Sequence, residues 1–579
     1  MNCRITLTDV YKGYTSDLDK MVTPEETVRR FREKLKRIDL DLLEQTIRID
    51  NRRLDIPVYF SVCGRDAAGV IGTKKQMGKG ATPQQAEASA VMELAERFSF
   101  FSFYQKPSHF IVDTYGNLKD NALPFEYVAQ SVHDESDELD KAEDIFSRIP
   151  LKWTRAYNIT KDEEVLIPFD WFYTINEFNG PCAGNCVEEA VLQGICEVVE
   201  RHVSSIISRN RMKTPAVDLD SVTDPLVLEL LRKYRNAGIA LFVTDFSLDT
   251  GIPSIGVLAY DPSSFPLKSE IIWTAGTTPN PQKALSRALT EVAQLAGDFN
   301  TGSNYVASGL PKFKALADAD FVLKPKKKLK ISALPDLSDA NFKVEVENCI
   351  VRLANIGMDV FLVNVTHPQL EIPAFYTIVP GAHFRERAAG TSVGMFSAKL
   401  IAESGDPQWA IRELRRMDFQ MPEKYYVKFF LGLSHLSINK PLDALQYLEQ
   451  ALKLDPKEED IPSIYAYMGI SLKDLERYGE AVEMLRRAET YDPERTDIYN
   501  LMGFCYFKEK AHEKAIDCFR KVLELDPGSA IDYANIASNY RDMGEAEKAI
   551  QYYTLALELD PTIDFAKENL KKLVRTVPH

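Results

Sequence analysis

The chain has 579 residues, with 70 Lys and Arg against 85 Asp and Glu, and a formal charge of −15. That length calls for two or more domains around a large core, and the acidic balance argues against a general nucleic-acid partner. No apolar run reaches membrane-spanning length, the start MNCRITLTDVYKGYTSDLDK lacks an apolar signal region, and eight cysteines are scattered without a disulfide framework; a cytoplasmic protein with no membrane partner is expected.

Residues 1–20 are polar, with Lys12 and Gly13 in a loop. Thr23-Pro24-Glu25-Glu26 reads as a helix start: Thr23 caps, Pro24 takes the first position and Glu26 closes a capping box. Ile56–Val62, rich in β-branched and aromatic residues, reads as a strand, and Val70-Ile71-Gly72 as a second. The chain then reaches Lys79-Gly80, where glycine lets the backbone approach a phosphate. GKGATPQQAEASAVMELAERFSFF (Gly78–Phe101) continues as a helix with Glu93 and Glu96 on one face. Residues 131–145 read as a surface loop or mobile helix, and Trp153–Asn158 and Val165–Ile167 as strands.

The central stretch is Asn179–Val203, NGPCAGNCVEEAVLQGICEVVERHV. A small-residue turn runs into a helix whose start Asn185 caps, or whose free amides receive a phosphate. Glu197 and Glu200 lie three apart on one face, opposite an apolar stripe of Val191, Leu192, Ile195, Val198 and Val199. Arg209, at the end of the helix, can offset phosphate charge; Arg201 beside Glu200 reads as well as an internal ion pair. Cys182, Cys186 and Cys196 read as small residues packing the turn, too few for a zinc or iron–sulfur site.

One acidic helix face is ordinarily just solvated. Here two loop–helix units share an ExxER core, and four carboxylates from two helices suit two metal ions held against a triphosphate. A hard cation such as Mg²⁺ takes one or two carboxylates plus phosphate oxygens.

Ala240–Asp245, Ile255–Tyr260 and Ile271–Gly276 read as strands, followed by PQKALSRALTEVAQLAGDF, a helix placing Arg287 and Glu291 at i and i+4. Lys324–Lys330, KPKKKLK, reads as a solvated loop, Val344–Ile356 as a helix, and Asp359–Val365 and Ala374–Val379 as strands. The assembly is α+β, without the strand–helix regularity of a doubly wound fold.

Residues 1–405 are assigned to this first domain and 406–579 to an all-α one. Asp-Pro recurs with proline at 456, 493, 527 and 561, while Gly432, Gly469, Gly503 and Ala537, and Ala444, Ala481, Ala515 and Ala549, fall in register. This resembles tetratricopeptide repeats: four units over 423–561 and a capping helix to Leu573, forming a solenoid. Its groove binds a partner protein or peptide, or the array packs on the first domain or builds a homodimer.

The strings KGATPQQAEASAVMELAER, NGPCAGNCVEEAVLQGICEVVER, RALTEVAQ and VTHPQLEIPAFYTIVPG, in this order over roughly residues 1–400, resemble the YcaO family. The resemblance implies an ATP site without a P-loop, in which the two ExxE pairs hold Mg²⁺ against the phosphates. It implies that Lys12 reaches phosphate and that Ser89 and Gln193 contact the nucleotide or its metal shell. It further implies a phosphate-binding role for Arg287 and a metal- or water-binding one for Glu291. ATP-binding candidates are therefore Lys12, Lys79, Gly80, Ser89, Asn185, Gln193, Arg209 and Arg287; metal candidates are Glu93, Glu96, Glu197, Glu200 and Glu291.

Family members activate a peptide amide by phosphorylating its oxygen after a nucleophile has added, giving azolines, thioamides or amidines. Azoline-forming members commonly end in a PxPxP tail; this chain ends in VRTVPH behind a repeat array. It is closer to a subgroup with a C-terminal tetratricopeptide-like region, which includes a bacterial member linked to β-methylthiolation of a ribosomal protein. Three expectations stand together: an ATP- and Mg²⁺-dependent enzyme acting on a peptide or protein, an ATP-binding accessory factor for a separate modifying enzyme, and a degenerate site beside working repeats.

Overall fold

The computed structural model describes residues 4–14, 20–50, 52–267, 269–296, 299, 310, 313–325, 327–384 and 391–576. They form two compact units, one of Met1–Leu139 with Pro150–Val393 and one of Asp140–Ile149 with Gly394–His579. Residues 394–405, expected with the first domain, thus belong to the second unit, as does the short segment 140–149.

In the first unit, β1 (Leu43–Arg48), β2 (Val58–Cys63) and β3 (Lys75–Lys79) make an antiparallel sheet. The Glu93 helix (Pro83–Gln105) packs on it, started by Thr82, whose side chain accepts from Gln85 N, with Pro83 at the first position. Strand and helix touch at Gly78, where an added Cβ would sit 2.1 Å from Ala90 N and 2.5 Å from Ala86 O. A side chain there would meet backbone that cannot yield, so only glycine allows this approach.

β4 (Ile111–Thr114), β5 (Pro150–Asn158), β6 (Glu163–Pro168) and β7 (Pro181–Ala183) follow. Next come β8 (Ala216–Asp218), β9 (Ala240–Asp245), β10 (Ser254–Tyr260), β11 (Ile272–Thr277) and β12 (Lys328–Lys330), joined in the order β11-β10-β9-β8-β12. β13 (Phe361–Asn364) and β14 (Ala374–Ile378) return to complete the sheet β4-β5-β13-β14-β7, with β6 paired to β5.

β10 and β11 are buried on both faces. Ile255, Val257, Ala259 and Ile272 pack with Ala284, Leu285, Ala288 and Val292 of the Arg287 helix (Pro281–Ala296). Leu258, Trp273 and Ala275 share the other core with Ile195, Val198 and Val199 of the Glu197 helix (Val187–Arg209). Strands covered on both sides carry near-continuous apolar runs in place of alternation. The Glu197 helix also crosses β14 closely: a Cβ on Gly194 would meet Thr377 Oγ1 at 2.2 Å.

Several local expectations are corrected. Val70-Ile71-Gly72 is the end of a helix, Arg65–Ile71. Asp41 organises its start, accepting from Arg65 N through Oδ2 and from Asp66 N through its carbonyl, and Gly72 closes it at φ 80°. Asn185 is not the cap of the Glu197 helix; the cap is Cys186, whose sulfur accepts from Glu189 N. Residues 131–145 contain the end of the helix Phe125–Ser131 and most of the helix Leu139–Phe146, whose Ala142, Ile145 and Phe146 are buried. The run 324–330 is a loop only in part, because Lys328–Lys330 pairs in parallel with β8 and Lys328 Nζ meets Asp218 Oδ1 at 2.6 Å; Lys326 lies outside the described residues.

In the second unit, helix pairs Tyr425–Ser437/Pro441–Lys453, Ile461–Asp474/Tyr478–Tyr491, Thr496–Lys508/His512–Leu525 and Ala530–Asp542/Ala546–Leu559 precede a last helix, Asp564–Thr576. The register glycines are where paired helices touch: a Cβ on Gly469 would lie 2.7 Å from Leu485 Cγ, and one on Gly503 2.7 Å from Phe519 Cζ. Ala444, Ala481, Ala515 and Ala549 have no exposed surface. The link inside each pair turns through positive φ at Asn439, Glu476, Lys510 and Gly544, the same place in every repeat.

Candidate nucleotide and metal site

A cavity of about 470 Å³ lies in the first unit, walled by the Glu93, Glu197 and Arg287 helices, the β3 turn and the N-terminal segment. The Glu93 helix contributes Gln85, Ser89, Glu93, Glu96 and Arg97; the Glu197 helix contributes Gln193, Cys196, Glu197 and Arg201; the Arg287 helix contributes Lys283, Arg287 and Glu291. Lys79 and Gly80 enter from the strand end, Asn185 from the turn before the second helix, and Lys12, Tyr14 and Lys20 from the N-terminal segment.

The charges are cross-linked. Lys79 Nζ contacts Glu291. Arg97 Nε lies 3.6 Å from Glu96 and 3.9 Å from Glu93, and its Nη1 donates to Phe178 O. Arg287 Nη1 donates to Gln193 Oε1 at 2.8 Å, and its Nε lies 3.3 Å from Glu200 Oε2. Lys12 Nζ pairs with Glu345 Oε1 at 2.6 Å, both side chains buried. Glu189 accepts from Asn185 Nδ2 and Met21 N and faces Lys20 at 3.4 Å.

Burial raises the carboxyls of Glu93, Glu96 and Glu197 above their usual range, against the opposing pull of Arg97 on the first two and Arg201 on the third. It pushes the Lys79 ammonium down to about 7, helped by nearby Arg287. Such shifts mean that these groups hold their charge at a penalty that an ionic ligand can relieve. Burial likewise pushes the Cys186 and Cys196 thiols up to about 12, which leaves them protonated and inert.

Of the residues singled out in the sequence, Lys12, Lys79, Gly80, Ser89, Glu93, Glu96, Asn185, Gln193, Glu197, Arg287 and Glu291 come together on the cavity wall. Two do not. Glu200 is 3% exposed and lies behind the wall, where Oε2 accepts from Thr277 N at 3.1 Å and faces Arg287. Arg209 is outside the lining, its Nη2 donating to Phe384 O. Lys20, Gln85, Glu189, Lys283 and Glu345 escaped the sequence reading. Glu189 and Gln85 lie inside the two motif strings and were open to notice; Glu345 is marked by contacts that the fold makes, its ion pair with Lys12 among them.

The donor set fits a Mg²⁺–nucleotide. Among the described residues no group of three or more His, Cys, Asp or Glu is gathered to hold a metal unaided. Mg²⁺ ordinarily keeps waters and is completed by phosphate oxygens, and Lys79 and Arg287 lie on the same cavity wall as Glu93, Glu96 and Glu197. Among the described residues, no helix is long and apolar enough to cross a membrane.

Fold and site together define a mixed α/β domain with a cavity lined by acidic and basic side chains, followed along the chain by a helical repeat array. The family model described as "YcaO cyclodehydratase, ATP-ad Mg2+-binding" matches residues 77–383, and the chain belongs to the YcaO family, whose ligands are ATP and Mg²⁺. Tetratricopeptide-repeat models match 425–458, 496–529 and 533–563. An uncharacterized protein of Methanothermobacter thermautotrophicus is 29% identical over 383 residues, covering 62% of this chain and 94% of that one. The Escherichia coli ribosomal protein S12 methylthiotransferase accessory factor YcaO is 27% identical over 297 residues, covering 47% of this chain and 48% of its own. Among solved structures, a heterocyclase in complex with substrate and cofactor shares the fold at a TM-score of 0.52 and 23% identity, over 66% of this chain and 55% of that one.

Proposed function

We propose that this chain binds ATP with Mg²⁺ in the cavity and uses it to activate a backbone amide of a peptide or protein. The observation that carries the reading is the gathering of Glu93, Glu96 and Glu197 from two helices into one cavity with Lys79 and Arg287. Glu93, Glu96 and Glu197 would hold the metal, while Lys79, Arg287 and Ser89 meet phosphate oxygens; Gln193 fixes the Arg287 guanidinium. Glu200 anchors Arg287 and the end of β11, and reaches the ligand through them. Bound ATP supplies the phosphoryl group that makes an amide oxygen a good leaving group, the outcome being cyclodehydration, thioamidation or a related change. Positioning and charge stabilisation are what such a transfer asks of the protein. The repeat array is assigned to partner binding or dimerisation.

A second reading is an ATP-binding accessory factor for a separate modifying enzyme. It is favoured by the accessory-factor description of the E. coli relative, about half of whose length this chain matches. Calorimetry of ATP with and without Mg²⁺, on wild type and Glu197→Ala, tests the site: Mg²⁺-dependent binding lost in the variant is expected, and a wild type that binds no nucleotide at any Mg²⁺ concentration removes the reading. A cellular modification that persists in Glu93→Ala/Glu197→Ala, which turns over no ATP, selects the accessory role.

A further inference from the structure

Each of the two ExxER cores carries its own cation. Arg97 Nε lies 3.6 Å from Glu96 and 3.9 Å from Glu93, and Arg201 Nη1 lies 3.5 Å from Glu200 Oε1. At such distances a guanidinium acts on a carboxylate as a charge more than as a directed donor. The two cases differ in place: Arg97 stands on the cavity wall together with Glu93 and Glu96, whereas Glu200 lies behind it. The charge of Arg97 also reaches Glu197 on the second helix. Nor is this guanidinium loose, because its Nη1 donates to Phe178 O at 3.3 Å. That carbonyl sits in a braced turn. Asn179 N and Nδ2 both donate to Asn176 O, at 3.0 and 2.9 Å, and Gly180 O, at φ 103°, accepts from Thr377 N at 2.8 Å.

A cation held among carboxylates offsets part of the pull they would exert on a metal ion. Glu93, Glu96 and Glu197 share the cavity with Arg97, yet among the described residues no group of three or more His, Cys, Asp or Glu is placed to hold a metal. Resting on the nucleotide-site reading above, we infer that Arg97 is a built-in counter-ion that keeps these carboxylates from taking up a divalent cation alone, so that Mg²⁺ enters only with the phosphate it serves. A triphosphate brings several negative charges, which outweigh one guanidinium, and it supplies oxygen ligands that the carboxylates alone do not. Because the braced turn fixes Arg97, its repulsion is a constant of the site, present before the nucleotide arrives and not dependent on a moving part.

The test titrates Mn²⁺, which takes the same oxygen ligands as Mg²⁺, into the full chain free of nucleotide, read by the electron paramagnetic resonance signal of the free ion. Wild type, Arg97→Met, Arg97→Lys and Arg97→Met/Glu197→Ala are compared, each also melted with and without Mn²⁺. Removing a positive charge beside a divalent-ion site changes affinity by about tenfold or more, so Arg97→Met should bind Mn²⁺ at least about tenfold more tightly than wild type. Arg97→Lys keeps the charge and should stay within about threefold of wild type. The added Glu197→Ala should abolish the gain. Arg97→Met binding Mn²⁺ no more tightly than wild type overturns the inference. Arg97→Lys binding as tightly as Arg97→Met overturns it too, since charge is then not the cause, and so does a gain that survives Glu197→Ala, since the ion then sits elsewhere. If Arg97→Met melts low, Mn²⁺ should raise its melting temperature by more than it raises that of wild type; an equal rise again overturns the inference, and loss of folding alone cannot imitate the larger one. Calorimetry of Mg²⁺–ATP on wild type keeps the two readings apart. A wild type that binds no nucleotide fails the proposed function, and this inference with it. One that binds Mg²⁺–ATP, beside an Arg97→Met that gains nothing toward Mn²⁺, fails this inference alone.

Discussion

Lys12 and Glu345 are 333 positions apart and meet at 2.6 Å with side chains 6% and 2% exposed, while Glu345 Oε1 also accepts from Asp339 N. The N-terminal segment runs beside the same helix start: Phe342 N donates to Val10 O, and Lys12 N to Ala340 O. Replacing Lys12 by Met takes from a buried carboxylate the cation 2.6 Å away. Breaking a buried pair from one side costs about 3–5 kcal/mol; the remaining backbone donor of Asp339 keeps this case near about 3 kcal/mol. Replacing both, as in Lys12→Met/Glu345→Leu, removes the stranded charge and should recover most of the loss, because a buried pair and an apolar pair of like volume are often of equal stability. Urea unfolding followed by tryptophan fluorescence reports chiefly on the first unit, which holds Trp153, Trp171 and Trp273. A double-mutant cycle should give a coupling of about 2 kcal/mol or more. A coupling under about 0.5 kcal/mol would refute the reasoning, since the two side chains would then be solvated as in an exposed pair.

Glu200→Gln keeps an acceptor for Thr277 N but drops the charge facing Arg287, and should weaken Mg²⁺–ATP binding about tenfold by calorimetry; unchanged affinity contradicts the anchoring role. Gly78→Ala forces a Cβ to within 2.1 Å of Ala90 N; a loss of stability above about 3 kcal/mol, read by urea unfolding, is expected together with loss of nucleotide binding. His202 is 4% exposed, its Nδ1 accepts from His383 N, and burial followed by like-charge repulsion from His383 lowers it to about 3. A histidine lowered on folding is buried neutral, so its contribution is intact above the ordinary histidine value of about 6.5 and falls as pH drops toward 3, by at most about 1.4 kcal/mol per pH unit. His202→Gln, which can still accept from His383 N, should lose less stability than wild type between pH 6.5 and pH 4. Parallel acid-unfolding curves for the two proteins would show that His202 does not titrate in this way.

Much of the site was legible because its side chains sit on helices, where spacing alone sets which residues share a face. Glu93 with Glu96, and Arg287 with Glu291, required only the 3.6-residue period. The repeats were legible because the same glycine and alanine positions recur for a steric reason. Glu200 shows where that logic stops. Its helical spacing from Glu197 is favourable, but Thr277 N and Arg287 draw its carboxylate behind the wall. Val70-Ile71 illustrates the same limit in the backbone, since β-branched residues favour a strand until a distant acceptor, Asp41, gathers the preceding amides into a helix. The Lys12–Glu345 pair has no local signature, because only the closed fold brings the two ends of the domain together.

The cavity's three helices share their supports in series. The Glu93 and Glu197 helices both rest on β7 and β14, and the Glu197 and Arg287 helices cover opposite faces of β10 and β11. Such serial sharing makes one relay of rigid bodies, in which no wall can swing without dragging the next. A nucleotide bound there as proposed would enter a site already assembled, and its binding should carry a small heat-capacity change, set by the ligand's own buried surface and not by ordering of the chain. For the same reason the central amides of these three helices should exchange their hydrogens only when the whole unit unfolds, with one common opening free energy.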